Sequence, residues 1–138
     1  MKILSENLAS HLVLEVTTPE PLYPILRLFV SVDDEGFSGT YSEVWVSLDD
    51  YEKFLADLRL CEQTRRGNAT LSSMSPDKFE VTIEQCDGWG HFLLRYMLSK
   101  NSRLTGEKRV SGSFGLDASS FKELVEEFDN LINVETPP

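Results

Sequence analysis

Histidine and cysteine are scarce in this chain, two of each among 138 residues. Most nucleophilic and metal-ligating constellations draw on them, so the room for such chemistry is small. Cys61 and Cys86 stand too far apart for a CxxC motif and too few for a disulfide framework. They read as buried or half-buried free thiols of a reducing compartment. No apolar run approaches the roughly 20 residues that span a bilayer. The start, Met1-Lys2-Ile3-Leu4-Ser5-Glu6, has neither an apolar h-region nor a cleavage site, so a cytoplasmic location is expected. Basic residues are outnumbered, 13 against 23 acids, for a net charge of −10. That balance argues against a nucleic-acid footprint and against docking on anionic membrane.

What is present reads as a globular domain. Hydrophobic residues make up 41% and charged residues 26%, a composition able to form a core without metal or disulfide. The length suits one domain over residues 1–138, with a polar lead-in at 1–10 and a frayed tail at 134–138.

Periodicity places the elements. His11–Val16, Ile25–Val32 and Thr40–Ser47 alternate as strands, with Leu12, Leu14, Leu26, Leu28, Val30, Val32, Val44 and Val46 on the inward parity. Thr17 to Pro24 forms a proline-rich loop, and Asp33 to Gly39 turns the chain. Tyr51, Phe54, Leu55, Leu58 and Cys61 then recur at helical spacing, predicting a helix over 49–63 with Asp49 as N-cap and Glu52 completing a capping box. Asn68–Ser73 is a further strand. Lys108–Leu116 follows a polar loop at 99–107, and Asp117 caps a second helix to about Asn133, with Phe121, Leu124 and Phe128 on its stripe. The order is βββα-ββββα. The fold class is α+β: a twisted antiparallel sheet of six to seven strands, either one curved layer or folded into a sandwich, with two amphipathic helices. Leu48-Asp49 recurs as Leu116-Asp117, 68 residues on (48 to 116), which suggests either a degenerate duplication or chance.

Asp87-Gly88 between two alternating runs predicts a two-residue type I′ hairpin. That turn would set Cys86 opposite Trp89, Glu84 opposite His91 and Glu80 opposite Arg95, and leave Phe79, Val81, Ile83, Phe92, Leu94 and Tyr96 on one apolar face.

Three groups of residues could carry chemistry. Cys86, His91 and Glu84 could pose as nucleophile, base and orienter, but the first two lie diagonally across the predicted ladder and no oxyanion-holding nest is evident, so no catalytic residue is assigned. Asp33, Asp34 and Glu35 invite a calcium reading, but adjacent acids diverge and the distal ligands are missing, so no metal or cofactor is expected. Tyr41 and Trp45 share parity with Glu43, a strip that would serve equally as interface anchor or as packing beneath the first helix.

The charge is lopsided. Residues 1–64 carry 12 acids and 4 bases, whereas residues 95–109 carry 5 bases and 1 acid.

The string Asp34-Glu35-Gly36-Phe37-Ser38-Gly39 leads to an aromatic strand with Trp45, then to Phe54-Leu55-Ala56-Asp57-Leu58 and Gly67-Asn68-Ala69-Thr70-Leu71. Gly88-Trp89-Gly90-His91-Phe92 and Phe114-Gly115-Leu116-Asp117 follow. Over residues 10–133 this layout resembles the WapI-like family of bacterial immunity proteins. The resemblance implies a cytoplasmic, non-enzymatic protein that binds a cognate toxin domain, often a nuclease. An acidic inhibitor would complement a basic substrate groove, so Asp33, Asp34, Glu35, Glu43, Asp49 and Asp50 are candidate partner-binding acids, with Tyr41 and Trp45 as anchors. The alternative is a small-molecule or peptide-binding domain using a pocket beneath the sheet.

Overall fold

The computed structural model of the chain describes residues 1–17 and 25–132. The proline-rich loop and the C-terminal tail fall largely or wholly outside them. The strands are β1 (Lys2–Leu4), β2 (Ser10–Val16), β3 (Ile25–Asp34), β4 (Phe37–Ser47), β5 (Asn68–Ser72), β6 (Phe79–Gln85), β7 (Phe92–Ser102) and β8 (Gly106–Gly115). Helix α1 (Leu48–Thr64) follows β4, and α2 (Phe121–Ile132) follows β8 through a 3-10 turn at Ala118–Ser120. The described strands form two antiparallel meanders, β1-β2-β3-β4 and β5-β6-β7-β8. The fold is α+β in two sheets, with eight strands rather than the six or seven expected.

Each half is thus four strands and a helix, and the 68-residue offset that aligns Leu48 with Leu116 also brings β3 onto β7 and β4 onto β8. The inward parities hold: Leu12, Leu28, Val30 and Val46 from the first sheet and Leu71, Val81, Ile83 and Leu94 from the second are fully buried. They join Phe54 and Leu58 of α1 and Phe121 and Phe128 of α2 in one hydrophobic cluster. Phe54 and Phe128 meet edge to face at 5.0 Å, linking the two helices.

Four sequence expectations are corrected. The polar lead-in holds a strand that was not expected: Ile3 is buried and pairs with Leu12, and the N-terminal ammonium donates to the Leu14 carbonyl at 2.7 Å. Three residues are too few to display an alternation. The polar loop at 99–107 is instead the end of a long hairpin, with Lys100 opposite Lys108 and Asn101 opposite Glu107. Both faces of that arm meet solvent, which removes the period-2 signal. Helix α1 is capped by Ser47, whose Oγ accepts from the Asp50 amide at 3.0 Å, two residues before the predicted Asp49.

The fourth correction concerns the β6–β7 hairpin. Gln85 lies opposite Phe92, Thr82 opposite Arg95 and Phe79 opposite Leu98, two residues from the predicted register. The Cys86 amide donates to the His91 carbonyl at 2.9 Å, and the four residues 87–90 inside that bond replace the type I′ turn. The Asp87 carboxylate accepts from the Trp89 amide at 2.8 Å and Gly90, not Gly88, takes the positive φ. A shift of two keeps every side chain on its own face, so Phe79, Val81 and Ile83 remain buried. The two-residue turn with both residues at positive φ is found at Glu35-Gly36, between β3 and β4.

Candidate functional site

The β3–β4 hairpin reaches across the second sheet. Asp34 ends β3 with both carboxylate oxygens engaged: one accepts from the Ser10 hydroxyl and the other from the Tyr96 hydroxyl, each at 2.6 Å. Burial first, and then the bond to Asp34, hold the Tyr96 hydroxyl protonated far above its ordinary range. Gly112 makes this contact possible. A Cβ there would lie 2.7 Å from the Tyr96 oxygen. Gly115 does the same for the β1–β2 turn, since a Cβ would lie 2.6 Å from the Glu6 carboxylate, and the Glu6 amide donates to the Gly115 carbonyl at 2.9 Å.

The eight candidate partner residues do not fall in one patch. Asp33, Asp34 and Glu35 sit at the hairpin tip, whereas Asp49 and Asp50 open α1 beyond the far end of β4. A strand of this length separates the two groups by about 30 Å. Asp33 and Glu35 are exposed; Asp34 is half-buried and braces the tip from behind.

A bulge in β4 splits the aromatic strip. Leu28 pairs with Val44 but Val30 pairs with Tyr41, so the parity changes between them. Tyr41 turns toward the core, half-buried, with the Lys100 ammonium 4.8 Å from its ring centre. Trp45 stays on the outer side with Glu43, 43% exposed, under the Arg27 guanidinium at 5.9 Å. The expected shared parity of Tyr41 with Trp45 and Glu43 is therefore not found.

The trio of Cys86, His91 and Glu84 is not assembled either. His91 Nδ1 meets the Asp87 carboxylate at 2.6 Å, and Glu84 pairs with Arg95. The Cys86 thiol, exposed rather than buried, donates to the His91 carbonyl at 3.3 Å. The Asp87 bond raises His91 above its ordinary value, and the nearby Glu6 adds to the effect. Cys61 is the buried thiol, raised by desolvation and by Asp57. Among the described residues no group of three or more His, Cys, Asp or Glu could hold a metal ion, and no helix is long and apolar enough to cross a membrane.

Three exposed apolar residues near the tip escaped the sequence reading: Leu4, Leu8 and Phe37 at 46%, 73% and 74% exposure. The one available signal was an apolar residue in a polar stretch, as in Asn7-Leu8-Ala9 and Gly36-Phe37-Ser38. Phe37 joins Glu6, Asp34 and Glu35 around an open cleft of about 250 Å³.

The turn glycines, cap residues and core aromatics that position this tip all lie within a stretch that matches a family model. The model of the WapI-like immunity proteins covers residues 10–134. The chain belongs to that family. Searches of curated proteins and of solved structures return no match. β1 lies outside the matched stretch, so the WapI-like region begins at β2 and takes in both helices.

Proposed function

We propose that this chain is an immunity protein that binds and neutralises the toxin domain of a cognate bacterial protein, acting in the cytoplasm by occupancy and not by catalysis. Membership of the WapI-like family supports the class. The observation that carries the chemistry of the partner is the β3–β4 tip, where Asp33 and Glu35 stand exposed beside a solvent-facing Phe37 on a hairpin fixed to the second sheet. Exposed carboxylates around an aromatic anchor suit a basic partner surface, because like-charged competitors are rejected and encounter is steered. The contact residues on this reading are Asp33, Asp34, Glu35, Glu43, Asp49 and Asp50, with Tyr41 and Trp45 as anchors. The tip group is the primary contact and Asp34 its brace. The β4–α1 group forms a separate contact that only a large partner would reach at the same time.

The test is direct. The neighbouring reading frames are cloned, any domain among them that arrests growth is expressed with and without the chain, and growth and complex formation are followed. Rescue of growth together with a co-purifying complex is expected. A toxin domain that kills regardless and does not bind would refute the reading. Affinity should fall with salt between 50 and 500 mM, a range over which the screening length shrinks to a few ångström, and a flat profile would rule out the electrostatic part.

A further inference from the structure

The β1–β2 turn is a ridge between two grooves. On one side, β1 and the start of α2 enclose about 210 Å³ over Ile3, Leu4, Phe121 and Leu124, with Glu123 and Glu127 along the rim. On the other side lies the cleft of Phe37, Asp34 and Glu35. The two share Ser5 and Glu6 as their common wall. The first groove is mainly apolar, and its rim carries Glu6, Asp117, Glu123 and Glu127 against a single cation, Lys2.

The turn itself is closed by its own hydrogen bonds. Ser5 Oγ donates to Asn7 Oδ1 at 2.7 Å and accepts from the Ser10 amide at 3.0 Å, and the Leu8 amide donates to the Ser5 carbonyl at 3.0 Å. Leu8 is thereby kept at φ 63 with its side chain in solvent. That backbone region is uncommon for a residue other than glycine, asparagine or aspartate. An apolar side chain carried on a backbone already fixed in its turn needs less ordering on binding.

From the apolar floor, the acidic rim and the exposed Leu8 on its hydrogen-bonded turn, we propose that this end of the molecule docks a segment of a basic protein. An apolar side chain enters the β1–α2 groove against Leu4 and Leu8, and flanking lysines or arginines meet Glu6, Glu123 and Glu127. Phe37 extends the contact across the ridge. The inference rests on the immunity reading only for naming that partner as a toxin domain; the chemistry of the surface stands on its own residues.

The probe is a synthetic hexapeptide with two central leucines and two arginines on each side, titrated into the full chain and followed by amide chemical shifts. Saturable shifts confined to residues 3–8, 35–37 and 117–127 are expected, and none with the glutamate counterpart. Shifts that do not saturate, or that centre on β4 and α1, would overturn the proposal. Leu8→Asn, which suits the left-handed backbone, and Phe37→Ser should together weaken the peptide about tenfold, as loss of central apolar anchors does. Glu123→Gln with Glu127→Gln should flatten the salt dependence. Unchanged far-UV circular dichroism confirms folding of each variant. A second arm uses the toxin domain found by the growth test among the neighbouring reading frames. If it binds the wild type and the Leu8 and Phe37 variants alike, the docking surface is wrong and the immunity reading stands. If the wild type ignores the toxin but holds the peptide at these residues, the immunity reading falls and the surface stands.

Discussion

The β3–β4 and β7–β8 hairpins occupy equivalent places in the two halves of the chain, each pairing the last two strands of a meander before its helix. One ends in Asp33, Asp34 and Glu35; the other carries Lys100, Arg103, Lys108 and Arg109. They differ in anchorage as well as sign. The acidic tip is tied to the opposite sheet through Asp34 and Tyr96, whereas residues 100–109 are exposed throughout. Lys100 even faces Lys108 directly, a pairing that repels. The inner faces of both halves stay apolar because they fill one core; the tips touch little and are free to diverge. On the proposed function recognition lies at the acidic tip, the one that a hydrogen bond ties to the opposite sheet.

The largest effect should come from breaking what the halves share. Phe128 is fully buried, meets Phe54 at 5.0 Å, and its carbonyl accepts from the Tyr51 hydroxyl at 2.6 Å. Phe128→Ala should cost about 3–5 kcal/mol, the range for deleting a core aromatic ring. Denaturant unfolding should remain a single transition with a lower midpoint. Two separated transitions would mean that the halves fold independently and that the comparison is between two domains.

Next in size is the bond that distinguishes the tips. Tyr96→Phe leaves the half-buried Asp34 carboxylate without that donor and should cost about 1–3 kcal/mol. Gly112→Ala attacks the same contact from the other strand, where a Cβ would sit 2.7 Å from the Tyr96 oxygen. In both variants amide exchange should quicken over residues 33–38 and stay unchanged over 100–109. Equal quickening of both hairpins would show that the bond is not what separates them.

This inter-sheet bond also marks where sequence reading ends. Inward parities were legible except at Tyr41, since alternation survives even the two-residue register shift at β6–β7 but not the bulge in β4. Both helices were legible from the spacing of Tyr51, Phe54 and Leu58 and of Phe121, Leu124 and Phe128. The Asp87 turn was not, because its geometry is decided by a side chain accepting from the Trp89 and His91 amides rather than by the Asp-Gly dipeptide. The bulge that separates Tyr41 from Trp45 leaves no mark in a short run. Asp34 and Tyr96 are 62 residues apart, and nothing local pairs them. Of the candidate surface the acids were visible, but Leu8, Phe37 and the groove at β1 depend on a three-residue strand too short to announce itself.

A smaller effect should come from the basic arm. Lys108→Glu replaces the Lys100–Lys108 repulsion with an opposite-charge pair, worth about 0.2–1 kcal/mol. The melting temperature should rise slightly at low salt and the gain should vanish at high salt. Partner affinity should hold, because the proposed contact tip lies on the other hairpin. A large loss of affinity would move recognition to the arm and reverse the comparison.

The smallest effect contrasts the two turns themselves. Glu35-Gly36 is set by backbone conformation, whereas the β6–β7 turn is set by Asp87 and its bond to His91. The pair moves the two groups apart: Asp87 falls below its ordinary 3.8, chiefly through the His91 hydrogen bond, and His91 rises above 6.5 through the same bond. The His91 contribution is therefore complete below pH 6.5 and is lost as pH rises through the higher folded value. The Asp87 contribution is complete above pH 3.8 and is lost as pH falls through the lower folded value. These are two readings of one exposed interaction, fully present only between those limits. Melting curves recorded from pH 3 to pH 8 should show a shallow fall at each end, and His91→Asn should abolish the upper one. Amide exchange at residues 87–91 should follow that profile, corrected for intrinsic exchange, while exchange at residues 35–37 should not. A pH response shared by both turns would trace the effect to the net charge of the chain, whereas a response confined to the second assigns it to the Asp87–His91 pair.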